Sequence, residues 1–491
     1  MTARLWLRRA RHVLVLWSAA VVVAGGVVIA GGATPAVAAG TGPCDIYAAG
    51  GTPCVAAHST TRALFGAYSG RLYQVKRASD GRTTDVGTLT AGGFANAATQ
   101  DSFCAGTTCT ITIIYDQTAR HNDLTQAPAG GAAPGPDALA NASALPVTAG
   151  GHKVYGVFVA PGVGYRNDLT SGIATGSASQ GEYMVAAGGH VNSGCCFDYG
   201  NAETNARDNG NGHMGAVYFG KLCWFGGVVA GQCAGTGPWV MADLENGLFA
   251  GANGTNLNNT GRSTAFVTGM VKMNSTTYAI KDGNADSGAL KTDYNGALPT
   301  TAGYTPLHLE GGIILGIGGD NSKGSAGSFF EGVMTSGFPS DATENAVQAN
   351  ITAAGYALPT GGAATGPIVA GDNASVCLDN NNGAATLGNK VQMWMCDGVV
   401  AAQNWTVAAN GTLQIDGGCL DITNASSANG TLIEWWTCNG GANQQWQSVN
   451  GQLVNPASGK CLDDPGSNTV NGTQLILFTC NGGLNQQWHL P

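Results

Sequence analysis

From Gly40 to about Tyr356 the chain alternates short apolar runs with breaks rich in Gly, Asn and Asp. Thr110–Tyr115 (TITIIY), Val154–Val159 (VYGVFV), Ala265–Lys272 (AFVTGMVK) and Gly312–Ile317 (GIILGI) read as strands, and their rhythm is that of a β-sandwich. Only Asp341–Ala354 carries a helical pattern, with an acidic first turn. Pro238–Phe249 (PWVMADLENGLF) runs apolar up to two acids and turns at Gly247. At strand period Asp243 and Glu245 share one face, opposite Val240, Ala242 and Leu244. Such a pair suits a catalytic wall, and it equally suits a solvated strand face. Ala357–Gly371 (ALPTGGAATGPIVAG) is small, uncharged and rich in Pro and Gly, which predicts a linker over 357–371.

From Asn373 onward the chain repeats itself with a period of about 42 residues. Cys377-Leu378-Asp379, Cys419-Leu420-Asp421 and Cys461-Leu462-Asp463 open three copies. Cys396, Cys438 and Cys480 follow, each 19 residues after its opener. Gln403-Asn404-Trp405, Gln444-Gln445-Trp446 and Gln486-Gln487-Trp488 close them. This CLD…C…QxW pattern resembles the ricin-B-type β-trefoil, a family 13 carbohydrate-binding module, over residues 372–491. The resemblance implies one disulfide per copy (Cys377–Cys396, Cys419–Cys438, Cys461–Cys480) and a shared core filled by Trp405, Trp446 and Trp488. It also implies a sugar site in each copy. The first copy offers Asp379, Gln392, Trp394 and Gln403, with Ala402 where the family has Asn. The second offers Asp421, Glu434, Trp436, Asn443 and Gln444, and is the most complete. The third offers Asp463, Asn485 and Gln486, with Ile476 and Phe478 at the variable positions. An aromatic ring can stack on the apolar face of a pyranose while the carboxylate and amides fix its hydroxyls.

Composition narrows the class. Met1–Ala39 places Arg4, Arg8, Arg9 and Arg11 before an apolar run, Val13–Ala30, and a small-residue site at Ala36-Val37-Ala38. That order is a secretory signal, and Arg8-Arg9 admits a twin-arginine route. No later stretch reaches the ~18 apolar residues of a membrane span, so no membrane contact is expected once the leader is cleaved. The chain has 21 Lys and Arg against 30 Asp and Glu. The leader holds four of the arginines and no acid, leaving 17 against 30, a net charge of −13. An acidic chain without a basic cluster excludes nucleic acid as a partner. Sparse charge (10%) and 77 glycines suit an exported, turn-rich all-β protein. Its 14 cysteines then read as disulfides rather than metal ligands, with Cys44–Cys54, Cys104–Cys109 and Cys223–Cys233 as short local loops. The paired spacings of a zinc site are missing, and no metal or cofactor is expected. The adjacent Cys195 and Cys196 leave three readings open: two thiols, two bridges to distant partners, or one vicinal bridge.

Three segments carry the chemistry: Ser193–Asn201 (SGCCFDYGN), Asp243-Leu244-Glu245-Asn246, and Gly316–Ser322 (GIGGDNS). Together with Cys44–Phe65, Ala91–Gln117 and Phe329–Asp341 they resemble the α-L-arabinofuranosidases of glycoside hydrolase family 54, from about Gly42 to Tyr356. Retaining glycosidases use two carboxyl groups ~5 Å apart, one as nucleophile and one as acid/base. The resemblance assigns the nucleophile to Glu245 and the acid/base to Asp320. It implies a vicinal Cys195–Cys196 disulfide as a rigid apolar wall, with Asp243 and Asn246 on the furanose hydroxyls. Trp224 is placed near the sugar, and Gly318 and Gly319 are expected to let the backbone approach it. Taken alone, Asp320 in a Gly-rich loop reads as an Asx-turn. Two departures stand out: Gly247 replaces an Asn common in the family, and the loop between Cys223 and Cys233 is an insertion.

The expected protein is thus all-β: a leader (1–39), a concanavalin-like β-sandwich catalytic domain (40–356), a linker (357–371) and a β-trefoil (372–491). The expected activity is exo-acting release of terminal arabinofuranosyl residues from arabinoxylan or arabinan. Xylan or galactose-type sugars are expected at the trefoil, and a monomer is the default. The alternatives are a carbohydrate-binding protein with a dead catalytic half, and a galactofuranosidase.

Overall fold

The computed structural model describes residues 40–224, 233–251, 254–300, 307–358, 364–408, 411–439, 441–449 and 451–491; the leader read at 1–39 lies outside them. β-Branched and aromatic runs form two antiparallel sheets over most of the first 356 residues. A seven-stranded sheet runs Cys54–Ser59, Gly327–Ser336, Gln180–Ala187, Phe266–Met273, Thr277–Asn284 and Lys291–Ala297 in spatial order, with Val157–Val159 beside Gly327–Ser336. A ten-stranded sheet runs Leu248–Phe249, Trp239–Asp243, Gly215–Gly220, Asp198–Ala202, Gly312–Leu315, Tyr165–Asn167, Leu124–Gln126, Cys109–Ile114, Arg71–Arg77 and Thr83–Gly87. Val185 and Met270 from the first sheet and Tyr199, Val217, Val240 and Ala242 from the second belong to one buried core, so the sheets form a sandwich. Because strands in the middle of each sheet are covered on both faces, they read as near-continuous apolar runs.

Three details differ from the sequence reading. Val154–Val159 is not one strand: His152–Tyr155 pairs with Pro146–Ala149, while Val157–Val159 joins the seven-stranded sheet. The break falls at Gly156, where a β-carbon would meet Leu145 and Phe330 at 2.6 and 2.7 Å. Besides the helix at Asp341–Ala353, Pro43–Ala49 and Ala97–Phe103 are helical. These seven-residue helices are too short to print a period in the sequence; Pro43 starts the first, and Asp45 accepts the Gly42 N–H. The third difference is the linker. Ala364–Gly366 pairs with Trp405–Val407, Val369–Ala370 pairs with Val376–Asn380 and Trp488–His489, and Ile368 is fully buried in the trefoil core. Residues 364–366 and 369–370 are paired strands rather than tether.

The three repeats build the second core. Trp405, Trp446 and Trp488 are 0–4% exposed, and their indole N–H groups donate to the carbonyls of Leu378, Leu420 and Leu462 at 2.9, 3.0 and 3.1 Å. One bond per repeat, made by the same pair of positions, is the signature of the three-fold arrangement. Each repeat also closes its own disulfide. No helix among the described residues is long and apolar enough to cross a membrane.

Candidate active site

The ten-stranded sheet brings the three motif segments together. Strand Trp239–Asp243 alternates as read, with Val240 and Ala242 in the main core and Met241 in a smaller outer cluster with Cys196, Tyr218 and Trp239. The alternation does not carry Glu245 with it. The strand ends at Asp243, and Glu245 and Asn246 both take left-handed backbone angles (φ 61° and 53°). Asp243 Oδ1 accepts the Glu245 N–H at 3.0 Å, and Leu244 N–H bonds Gly247 C=O at 3.2 Å, tying the turn. Two consecutive non-glycine residues held there cost of order 1–3 kcal/mol each, a strain typical of functional positions. The acids therefore converge because the turn redirects Glu245, not because they share a strand face.

Register places the other parts. Asp243 lies opposite Ala216, and Ala216 opposite Gly200, so Asp198 and Asp243 sit on strands separated by one neighbour. Strand Gly312–Leu315 lies on the other side of Asp198–Ala202, and its continuation, Gly316–Ser322, closes over the site. Asp320 Oδ1 accepts the Ser322 N–H at 2.9 Å, so the Asx-turn reading is right, yet the same residue faces the pocket. Cys195 and Cys196 are disulfide-bonded to each other across a cis peptide, so of the three readings the vicinal bridge is the one formed. Ser322 Oγ lies 3.7 Å from Cys195 Sγ.

A cavity of about 200 Å³ results, lined by Cys195, Cys196, Trp224, Asp243, Glu245, Asn246, Gly318, Gly319, Asp320 and Ser322. It contains every residue singled out from the sequence for the site of this half, and adds Ser322. Drug-sized ligands occupy roughly 300–1,000 Å³, so this pocket suits a single small ring. A shallower groove of about 600 Å³ beside Phe65, Tyr68 and Arg120 holds no carboxylate. Asn246 donates to Asp208 Oδ1 at 3.1 Å.

Behind the pocket lie acids that the sequence reading did not select. Glu203 follows strand Asp198–Ala202, is fully buried, and meets Glu245. Asp198, also fully buried, meets Asp243. Gly319 owes its identity to this packing as much as to any sugar: a β-carbon there would collide with Glu203 Oε2 and come within 2.8 Å of Glu245 Oε2. The guanidinium of Arg166 holds the loops in place, donating to Gly319 C=O at 2.7 Å and to Glu203 C=O. Burial, then the charges of Glu203 and Asp243, raises Glu245 above the usual carboxylate range. Burial raises Asp243 to about 7, against the hydrogen bond from Asp198. Asp198 is raised well above the carboxylate range by burial and then by Asp243.

The family described as "Alpha-L-arabinofuranosidase B, catalytic" matches residues 43–357. The chain belongs to that family. A ricin-type β-trefoil lectin domain matches residues 364–488, which agrees with the strand at Ala364–Gly366. A probable α-L-arabinofuranosidase B of Aspergillus terreus is 60% identical over 346 residues, covering 69% of this chain and 66% of that protein. An α-L-arabinofuranosidase of Hypocrea jecorina is 59% identical over 346 residues, covering 70% and 67%. The chain thus spans about two thirds of the length of the curated relatives it matches. Among solved structures, a GH54 arabinofuranosidase soaked with a cyclic sulfate inhibitor is 39% identical, with a TM-score of 0.69 over 92% of this chain and 99% of that one. An arabinofuranosidase complexed with arabinofuranosyl-α-1,2-xylobiose matches equally.

In this arabinofuranosidase B family member the disulfides Cys44–Cys54, Cys104–Cys109 and Cys223–Cys233 are also formed. The trefoil carboxylates are each held by side-chain amides. Gln392 and Gln403 donate to Asp379 at 2.9 and 3.1 Å, Asn443 and Gln444 to Asp421 at 2.8 and 2.7 Å, and Asn485 and Gln486 to Asp463 at 3.0 and 2.7 Å. Glu434 pairs across the ladder from Asp421, while Trp394 and Trp436 stand half-buried opposite Cys377 and Cys419.

The buried acids set a pH prediction. Glu182 is buried, and among the described residues no side chain donates a hydrogen bond to either of its carboxylate oxygens. Burial raises it well above the usual range, as it does Asp198. Between pH 7 and 9 these groups hold protons when folded and release them when unfolded, since free carboxyls titrate near 4. The folded state binds more protons, so stability falls as pH rises through this window, by about 1.4 kcal/mol per pH unit per proton. Glu182→Gln should remove one proton's share of this slope, measured as chemical-denaturation stability at pH 7, 8 and 9. An unchanged slope would mean that Glu182 is ionised in the fold.

Proposed function

We propose that the chain is a secreted, retaining α-L-arabinofuranosidase that removes terminal arabinofuranosyl residues from plant polysaccharides such as arabinoxylan and arabinan. The observation that carries this reading is the convergence of Glu245 and Asp320, from segments 75 residues apart, on one ring-sized pocket walled by the Cys195–Cys196 disulfide. In the first half-reaction a Glu245 carboxylate oxygen attacks the anomeric carbon as the glycosidic C–O bond breaks. Asp320 gives its proton to the departing oxygen. In the second, Asp320 takes a proton from water, the water oxygen bonds the anomeric carbon, and the ester to Glu245 breaks, so both residues are regenerated.

The disulfide sulfurs and Trp224 offer an apolar wall to the ring, while Asp243 and Asn246 offer acceptors and a donor for its hydroxyls. Seven disulfides favour an oxidising compartment, which fits the leader-like Met1–Ala39. The trefoil sites around Asp379, Asp421 and Asp463 would hold xylan or galactose-type sugars and raise the local concentration of branches. The bound arabinofuranosyl-xylobiose of a solved relative makes arabinoxylan side chains the favoured substrate.

A galactofuranosidase would need room for an extra carbon arm, which the small pocket opposes. The test compares kcat/KM on p-nitrophenyl α-L-arabinofuranoside and β-D-galactofuranoside. The arabinoside should win by at least about 100-fold, the cost of one ill-fitting group. A preference for the galactoside would overturn the substrate, and no turnover of either by folded, oxidised protein would leave a sugar-binding protein.

A further inference from the structure

Glu203 has no solvent exposure, and among the described residues no other residue donates a hydrogen bond to either of its carboxylate oxygens. Its carboxylate, that of Glu245 and that of Asp208 have oxygens within 4.8 Å of one another, and Glu203 Oε2 and Glu245 Oε2 crowd the same point above Gly319. Two carboxylates so close in a dry setting cannot both be ionised; one keeps a proton. Glu203 is the dry member, whereas Glu245 opens onto the pocket and its water. A bare charge costs more on the member with no donor and no solvent, so the proton belongs to Glu203.

We propose that Glu203 is a positioning residue: it stays a neutral carboxylic acid and donates its hydrogen bond to the Glu245 carboxylate, fixing the attacking oxygen. This rests on Glu245 being the nucleophile. When the Glu245 oxygen bonds the anomeric carbon, its charge is discharged into the ester, and the Glu203 proton stays where it is. No proton crosses between them. The charges facing the pair are the carboxylates of Asp208, Asp243, Asp198, Asp320 and Glu310 and one guanidinium, Arg166. Arg166 spends its donors on the Glu203 and Gly319 carbonyls and on Asp168, so it does not supply the bond that Glu203 makes. Burial raises both members of the pair, as a retained proton requires.

Glu203→Gln preserves shape and the donor but cannot titrate; Glu203→Leu removes the donor. The pH profile of kcat/KM on p-nitrophenyl α-L-arabinofuranoside separates them. With Gln the acid limb should stay within about 0.5 pH unit and kcat/KM within about tenfold of the wild type. With Leu the limb should move up by about one unit, because Glu245 loses a bond to its charged form, and kcat/KM should fall about 100-fold. A limb that moves down in Glu203→Gln would mean that Glu203 is charged in the working enzyme, and three superimposable profiles would make it a bystander; either overturns the proposal. Infrared spectroscopy reads the proton without turnover. At pH 7 the wild type should show a protonated-carboxyl band that Glu203→Gln lacks, and no difference would overturn the proposal. Activity lost to a chelator and restored by calcium would put a cation where the proton is proposed, and would overturn it as well. A wild type without arabinofuranosidase activity would instead sink the nucleophile reading on which this rests, while the infrared band still reports on Glu203.

Discussion

Glu245→Gln is expected to lose about 10⁴-fold or more in kcat on aryl arabinofuranosides, since an amide cannot form the glycosyl ester. The variant should fold as well as the wild type, because Gln fills the same space and removes a charge from a site where Asp243 and Asp208 crowd it. Its stability between pH 7 and 9 should rise, one repelled acid having been removed. A Glu245→Gln protein that retains more than a hundredth of wild-type kcat would show that Glu245 is not the nucleophile. Asp320→Asn should behave differently. Loss on a natural glycoside with a poor leaving group should be about 10²–10⁴-fold, the usual worth of general acid catalysis. A nitrophenolate departs without help, so on that substrate the second half-reaction becomes slow and added azide restores turnover.

The other large effect lies in the trefoil. Trp405→Ala should destabilise this domain by about 3–5 kcal/mol, the cost of emptying a large buried aromatic site. Trp405 is fully buried, and its loss also leaves the Leu378 carbonyl without its 2.9 Å donor. The consequence should be confined to one function. Polysaccharide binding should weaken as the trefoil transition moves to lower denaturant, while kcat/KM on the nitrophenyl glycoside stays within twofold of the wild type. Equal loss of both activities would mean that the trefoil core supports the catalytic pocket directly.

How much of this is legible in the sequence differs from residue to residue. The trefoil can be read because its constraint is local and repeated: the same Asp, Cys and Trp recur every 42 residues, and each tryptophan bonds the leucine of its own repeat. The pocket can be read because its three segments carry unusual local sequences, Cys-Cys and Gly-Gly-Asp among them. The reason for the convergence of Asp243 and Glu245 is not legible. Period-two alternation fails at Glu245, whose left-handed backbone angle no propensity for Glu foretells. Glu203 escapes notice for a different reason. It stands in an ordinary stretch, Ala202-Glu203-Thr204, and becomes notable only when the sheet sets it beside Glu245 and Gly319, 42 and 116 positions away. Asp198 sits inside a motif segment, yet its meeting with Asp243 depends on the register of the intervening strand Gly215–Gly220. The supposed linker fails on composition: Ala364–Gly366 is an edge strand and Val369–Ala370 lies between two neighbours, both held by backbone hydrogen bonds, to which small side chains are no obstacle. Pairwise carboxyl contacts and edge pairing are long-range facts, and a single sequence does not display them.

The central claim is that Glu245 and Asp320 operate as the nucleophile and acid/base of a retaining arabinofuranosidase. The measurement that tests it most directly is proton NMR of the products formed from p-nitrophenyl α-L-arabinofuranoside by Asp320→Asn in the presence of azide. Two displacements at one carbon predict an arabinofuranosyl azide that keeps the α configuration, formed at a rate that rises with azide concentration, and no such product from Glu245→Gln. A β-configured azide, or an α-azide formed equally well without Glu245, would contradict it.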